Sequence, residues 1–536
     1  MKCTQIACAG ALLACLICSV QGAAATQAGP EQVPLIMSQS HSMAGFVRHR
    51  LSKLYASIRR RAGNTVKRMV LPLTKAEVWS VPKDKVAAVS KAAARRGFVM
   101  SQLGAAWNHI FHRTEPDRKL NVRQKSILAR ARAASASVGV GIMAAPQPPM
   151  VEYALLKDMN TSDAAKITVA LSDMTTLSIT RVSVELKSGM CIWRGTVDGT
   201  GAPATLMWWP DGKMTGTVQH ERRIYSIRHM GGEMHAIVAM GEERMPQEHA
   251  PMPARMRAND PNLRDDPLIN QGDASGLRPA TAGLHAPASQ APVNQAKEQQ
   301  GSSSSRGDAA RIGAPLNDIV IDVIVAYTKK AAANYVDIKR ELTELSIEEA
   351  NESFRMSNLG HIKLRLVHAY QTDYVEDGEH FNHLWRFADR GDGYMEEIHW
   401  LRDKYKADVA VLVVDDPNGC GLATRVSADA DDAFAVVHHE CAATTYSVAH
   451  EIGHLIGARH DLKFDKVMTP FPYGHGFVNG TKWRDIMSYK QSCGNCPRLP
   501  IWSSPMVMIN GEPAGTAELD NARVIAGQAA RVAAFR

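Results

Sequence analysis

At 536 residues the chain is too long for one compact core, so two or three domains are expected. Its apolar content of 45% is ordinary for a globular protein and its net charge of +8 is mildly basic. No run of eighteen apolar residues occurs, which argues against a membrane-spanning helix.

The first residues read as a secretory signal over 1–25. Lys2 supplies the positive end, Ile6 to Val20 a short apolar run, and Gly22-Ala23-Ala24-Ala25 a small-residue cleavage region. A secreted, extracellular or periplasmic protein is expected. Residues 26–150 follow as a basic segment expected to be helical, with runs such as KDKVAAVSKAAARRG. Between Phe46 and Arg132 stand 21 Lys or Arg against four acids. Such a stretch could bind nucleic acid or an anionic surface, but no nucleic-acid motif accompanies it, and a solvated helical segment is the better reading.

From 151 to 241 the pattern changes. ITVALSDMT, CIWRGTV, ATLMWWPDGKMTGTV and RRIYSIRHMGGEMHAIVAM alternate apolar and polar residues between turn signals, as short antiparallel strands do. Residues 242–316 are rich in Pro, Ala, Gln, Ser and Gly and read as a flexible linker. The last part, 317–536, reads as a separate α/β (α+β) domain with helices on a twisted mixed sheet. IVIDVIVAY (Ile319 to Tyr327) and DVAVLVVDD (Asp408 to Asp416) suit buried strands. Between them the pattern gives a helix from Glu341 to Met356, a strand from Ile362 to Tyr370 and a helix from Phe381 to Tyr405.

Of nine cysteines, Cys3, Cys8, Cys15 and Cys18 fall in the signal. Cys420, Cys441, Cys493 and Cys496 cluster near the end and suggest two disulfides in an exported domain. Cys191 is left over.

The chemistry concentrates in HEIGHLIGARHD, His450 to Asp461. On a helix, positions four apart share a face, so His450 and His454 can reach one ion. TTYSVA places an N-cap at Thr444 or Thr445, and Val448, Ile452 and Leu455 form the apolar stripe that seats the helix. Gly457 can take the left-handed conformation that ends a helix, and His460 then arrives as a third ligand. Three neutral imidazoles around an open position suit one zinc ion. Glu451 is placed to take a proton from water at that open position and pass it to a leaving amine, which is the chemistry of peptide-bond hydrolysis. His438, His439 and His475 are read as surface or supporting residues.

This pattern, HExxHxxGxxH, is the metzincin signature, and WRDIMSY supplies the methionine turn that accompanies it. The surroundings CGLATRV, AFAVVHHECAATTYSVAHEIGH and CPRLPIWSSP resemble the reprolysin group and the bacterial peptidyl-Asp metalloendopeptidases. The resemblance covers roughly 317 to 510. The metzincin resemblance implies that Met487 forms a floor beneath the metal. Tyr489 is similar to the tyrosine that in the astacin and serralysin groups approaches the metal to stabilise a tetrahedral intermediate, a feature not general among reprolysins. The reprolysin and peptidyl-Asp resemblance implies that Cys420 pairs with Cys441 and that Gly421, Leu422, Ala423 and Thr424 form the substrate-docking edge strand. Pro500 to Pro505 would help form a specificity pocket, with a preference for acidic residues at the cleavage site. A structural calcium ion is compatible with the family.

The strand-rich segment before the linker resembles pro-regions of secreted bacterial zinc proteases, which implies a zymogen inhibited by its own pro-region and activated by a cut within 242–316. Cys191 could then cap the metal as a latency thiolate; the alternative is a small residue buried in a strand beside Trp193. The partners expected are protein or peptide substrates, with no nucleic acid. A catalytically inactive zinc-binding interaction protein is the alternative, and the intact Glu451 argues against it.

Overall fold

The computed structural model describes residues 318–378 and 380–536. Before them it describes 32–39, 55–60, 67–70, 77–95, 98–102, 112–113, 120–134, 141–144, 166–171, 175–187, 190–209, 213–231, 234–241 and 245–246. The signal (1–25) and nearly all of the linker (242–316) lie outside these residues. Two compact units are formed, one from 1–115, 142–214 and 232–235, the other from 116–141, 215–231 and 236–536. No helix among the described residues is long and apolar enough to cross a membrane.

The first unit corrects the helical reading of 26–150. It contains the helix Val86–Ala94 but also a four-stranded antiparallel sheet, ordered Lys67–Val70, Glu77–Pro82, Gln32–Gln39, Phe98–Gln102. The charge of the stretch hides short period-two runs such as EVWSVP, in which Trp79 and Val81 turn inward and are buried. The strands Lys166–Ala170, Thr176–Lys187, Met190–Val197 and Pro203–Trp208 form an antiparallel ladder.

In the second unit the helix Val122–Ala134 opens on a reciprocal cap, with Asn121 and Gln124 side chains each accepting the other's backbone N–H. Strands Met214–His220 and Arg223–Gly231 form a hairpin whose two turn residues, Glu221 and Arg222, both have positive φ (46° and 66°).

The rest of this unit is a mixed sheet covered on both faces. Its strands are β1 (Ile319–Tyr327), β2 (Ile362–Gln371), β3 (Val409–Val414), β4 (Gly421–Ala423) and β5 (Phe434–His438), in the order β2-β1-β3-β5-β4. All pair in parallel except the edge strand β4, which runs antiparallel to β5. β3 buries six consecutive apolar side chains, as a central parallel strand must. Each Val or Leu so removed from water contributes about 1.5–3 kcal/mol. Helices α1 (Leu345–Met356), α2 (His380–Ala388), α3 (Glu397–Tyr405), α4 (Ser447–Ile456) and α5 (Asn521–Val532) pack on it. Ile324 and Ala326 of β1 meet Leu384, Phe387, Ile398 and Leu401 of α2 and α3 on one face. Strand alternation turns Val323 and Val325, also buried, to the other.

The single helix expected from Phe381 to Tyr405 is two helices. Between them lie Gly391 and Gly393 at φ of 76° and 84°, a conformation that an α-helix cannot continue through.

Candidate active site

α4 follows β5 through a tight turn and carries His450, Glu451 and His454 on buried positions. Neither Thr444 nor Thr445 caps it. The N-cap is Tyr446, in the left-handed region at φ 59°, while the Thr445 hydroxyl bonds the Cys441 carbonyl and Ser447. Gly457 ends the helix at φ 137°, where a side chain would be strained. Asn521 at the start of α5 then brackets the next turn, accepting from Arg459 N (3.2 Å) and donating to Arg459 O (3.0 Å). His460 is thereby brought back against the helix.

The three imidazoles converge. His460 Nε2 lies 2.8 Å from His450 Nε2 and 3.0 Å from His454 Nε2. The opposite nitrogens decide their protonation. His450 Nδ1 lies 2.9 Å from the Ile486 carbonyl and His454 Nδ1 2.9 Å from the Ala458 carbonyl, so each must donate there. That leaves both Nε2 atoms as bare lone pairs pointing at His460, which can offer a proton to only one of them. Burial first, and the neighbouring imidazoles second, hold His450 down to about 3 and His460 well below its ordinary value. For His454, burial is opposed by the bond to the Ala458 carbonyl and the result is about 4. Three neutral, converging, buried imidazoles fit a single zinc ion and leave a coordination position open.

Glu451 is held between α4 and the edge strand. Its carboxylate accepts the Ala423 N–H, and burial outweighs that bond in raising it well above the ordinary carboxylate range. Gly421 makes the fit possible, because a Cβ there would collide with the Glu451 carboxylate. Gly453 has a comparable role on the far side of the helix, where a Cβ would run into the Trp502 ring and reach 3.4 Å from Met487 Sδ. Met487 is fully buried there, one residue after the carbonyl that orients His450. Tyr489 Oη lies 3.1 Å from His460 Nδ1. This is the outer edge of that ring, away from Nε2, so as placed Tyr489 orients an imidazole.

Asp461, which directly follows the third histidine, is buried. Its carboxylate accepts Tyr489 N, Ser492 Oγ and Lys463 N, tying the turn that carries His460 to the segment after Met487. Gly421 to Ala423 form the edge strand of the sheet, Thr424 follows it, and all four are buried. Cys420 is bonded to Cys441 and Cys493 to Cys496. The first of these joins the start of β4 to the turn leading into α4. Ile501, Trp502 and Ser503 do not line an open pocket; all three are inaccessible, and Trp502 donates to Ser353 Oγ and stacks on Phe354.

Cys191 lies in the strand Met190–Val197 of the first unit, opposite Trp208, and is fully buried. Burial, against the pull of Arg194, pushes its thiol up to about 12, which favours the protonated form over the metal-binding thiolate. His438, His439 and His475 are not surface residues. His475 is buried against the His460 carbonyl at 2.9 Å. His438 and His439 gather with Asp415 into a second group close enough for a metal. There, however, His438 Nδ1 accepts the Glu440 N–H, so its proton stays on Nε2, facing Asp415 at 3.8 Å. This group is therefore read as a hydrogen-bonded network. Neither group is the all-oxygen set that calcium takes.

A mixed sheet, a helix bearing two histidines and a glutamate, and a third histidine beyond a glycine turn together define the layout of a metallopeptidase. Residues 317–502 match the family described as metallo-peptidase family M12. A peptidyl-Asp metalloendopeptidase of Xanthomonas campestris pv. campestris is 32% identical over 409 residues, covering 74% of this chain and 88% of that protein. One from Stenotrophomonas maltophilia is 35% identical over 328 residues, 60% of this chain and 68% of that protein. One from Pseudomonas fragi is 33% identical over 190 residues, 35% of this chain and all of that protein. The chain belongs to metallo-peptidase family M12, as a relative of the bacterial peptidyl-Asp metalloendopeptidases, and is a zinc metalloendopeptidase acting on proteins or peptides.

Proposed function

We propose that the chain is the exported zymogen of a zinc endopeptidase of metzincin fold, with residues 26–241 as pro-region and 317–536 as catalytic domain. His450, His454 and His460 hold the zinc, and Glu451 is the general base. The observation that carries this reading is the convergence of three buried imidazole Nε2 atoms beside a buried glutamate.

Zinc, when bound, supplies a Lewis acid that polarises the scissile carbonyl and makes water acidic. Glu451 takes a proton from the attacking water and delivers it to the leaving amine. Tyr489 and the carbonyls of Ile486 and Ala458 keep the imidazoles aimed. Met487 and Trp502 support the helix from below, and the backbone of Gly421 to Thr424 aligns an extended peptide. The name of the relatives, carried to this chain, gives a preference for peptide bonds next to aspartate.

The test is cleavage of a peptide series differing only in Asp, Glu, Asn or Ala at the residues flanking one bond, by full-length and processed protein. The proposal expects the Asp peptide to be cut fastest, the full-length form to be nearly inert, and the active form to begin within 242–316. Equal rates across the series would remove the acidic preference. An active form beginning before residue 200 would remove the proposed boundary.

A further inference from the structure

The hairpin Met214–Gly231 precedes the linker, so a cut within 242–316 leaves it on the N-terminal fragment. Within the second unit its side chains bond to acidic side chains of the catalytic domain. Arg228 makes a two-pronged pair with Glu440, Nη1 to Oε1 at 3.0 Å and Nη2 to Oε2, with both side chains nearly inaccessible. Burial alone would raise the Glu440 carboxyl, but Arg228 and then His439 overcome it and hold it down to about 2. Beside this pair, His229 Nδ1 lies 3.7 Å from Glu341 Oε1, and Thr217 Oγ1 donates to Glu349 of α1. Gln219 donates to Tyr446 Oη at 2.6 Å, on the residue that starts α4. Arg123, on the helix Val122–Ala134, adds a bond to the Val336 carbonyl at 3.1 Å.

We propose that Glu341, Glu349, Glu440 and Tyr446 form a docking face for the cleaved N-terminal fragment, so that scission of the linker leaves a non-covalent complex. Release of the hairpin, rather than the cut itself, then frees the catalytic domain. The inference rests on the zymogen reading for the position of the cut. Its physical basis is that undocking separates the desolvated Arg228 guanidinium from the Glu440 carboxylate and takes His229 and Thr217 away from Glu341 and Glu349. None of these bonds involves His450, Glu451, His454 or His460, so the docking face can be tested apart from the chemistry.

The experiment uses the full chain carrying Glu451→Gln to suppress self-digestion, with a recognition sequence for a site-specific protease inserted between 270 and 300. After the cut, gel filtration asks whether the fragments co-elute, and re-association gives their Kd. The expected result is co-elution, with Arg228→Met or Glu440→Met weakening the complex by about a hundredfold or more. The double variant Arg228→Met/Glu440→Met should recover at least about tenfold over either single variant, because no charge is then left buried alone. Thr217→Val gives a milder weakening, and serves if the Arg228 variant does not fold. Fragments that separate on cutting, or single variants with an unchanged Kd, would overturn the proposal. Activity is read separately without Glu451→Gln: a cut, co-eluting complex that digests peptide at the full rate would overturn the release step, and uncut protein that does so would sink the zymogen reading and leave the docking face standing.

Discussion

The substitution Gly421→Ala tests the site without touching any proposed zinc ligand. Gly421 is not at positive φ, so alanine carries no backbone strain there, and only the new Cβ matters. Built on the existing backbone, that atom stands 2.9 Å from both Cγ and Cδ of Glu451, inside any real carbon contact, and collides with the carboxylate oxygen. Glu451 must therefore shift by the better part of an ångström. A displacement of that size costs on the order of a hundredfold, and complete loss of the base costs about 10²- to 10⁴-fold. The expected kcat on a fluorogenic peptide therefore falls by between about 10² and 10⁴, with KM much less affected and zinc content unchanged. Combined with Glu451→Ala, the substitution should cost little more than Glu451→Ala alone, because both act through one carboxylate. A Gly421→Ala enzyme of full kcat, or a double variant whose losses simply multiply, would refute the role given to this contact.

Three further outcomes are expected. Glu451→Ala should retain zinc and lose proteolysis, whereas His454→Ala should lose both; metal analysis beside a peptide assay checks this, and full activity in either variant contradicts the assignment. Trp502→Ala removes a fully buried ring beneath α4 and its bond to Ser353, and should lower stability by about 3–5 kcal/mol in urea unfolding; a change under about 1 kcal/mol would show that the helix does not rest on that ring. The third concerns pH. Burial and the adjacent His439 hold folded His438 at about 3 against an ordinary 6.5. Between these values the unfolded chain binds the extra proton, so stability should fall as pH drops through that window, by up to about 1.4 kcal/mol per pH unit from this group. His438→Gln should flatten that slope, and an unchanged slope would exclude His438 as its source.

The sequence was most legible where one local rule sufficed. β1 and β3 could be read as dense apolar runs because both faces of a central parallel strand are buried. His450 and His454 could be placed together by helical spacing, and Gly457 could be read as the turn. What escaped was everything set by backbone groups or distant partners. The Ile486 and Ala458 carbonyls that orient the histidines belong to residues whose side chains give no sign of that role. The close approach of β4 to Glu451 is visible only once the strand lies over the helix. Arg228 and Glu440 lie 212 positions apart in the chain, so no pattern links them. The strands within 32–102 were hidden because lysines and arginines outweigh the short apolar alternation between them.

The central claim is tested most directly by one set of samples: processed protein, the same protein after treatment with a zinc chelator, and processed Glu451→Ala, each assayed for peptide cleavage and for bound metal. The account predicts about one zinc per chain with cleavage in the first, neither in the second, and zinc without cleavage in the third. Cleavage that survives complete zinc removal, or that persists at full rate without the Glu451 carboxylate, would contradict it.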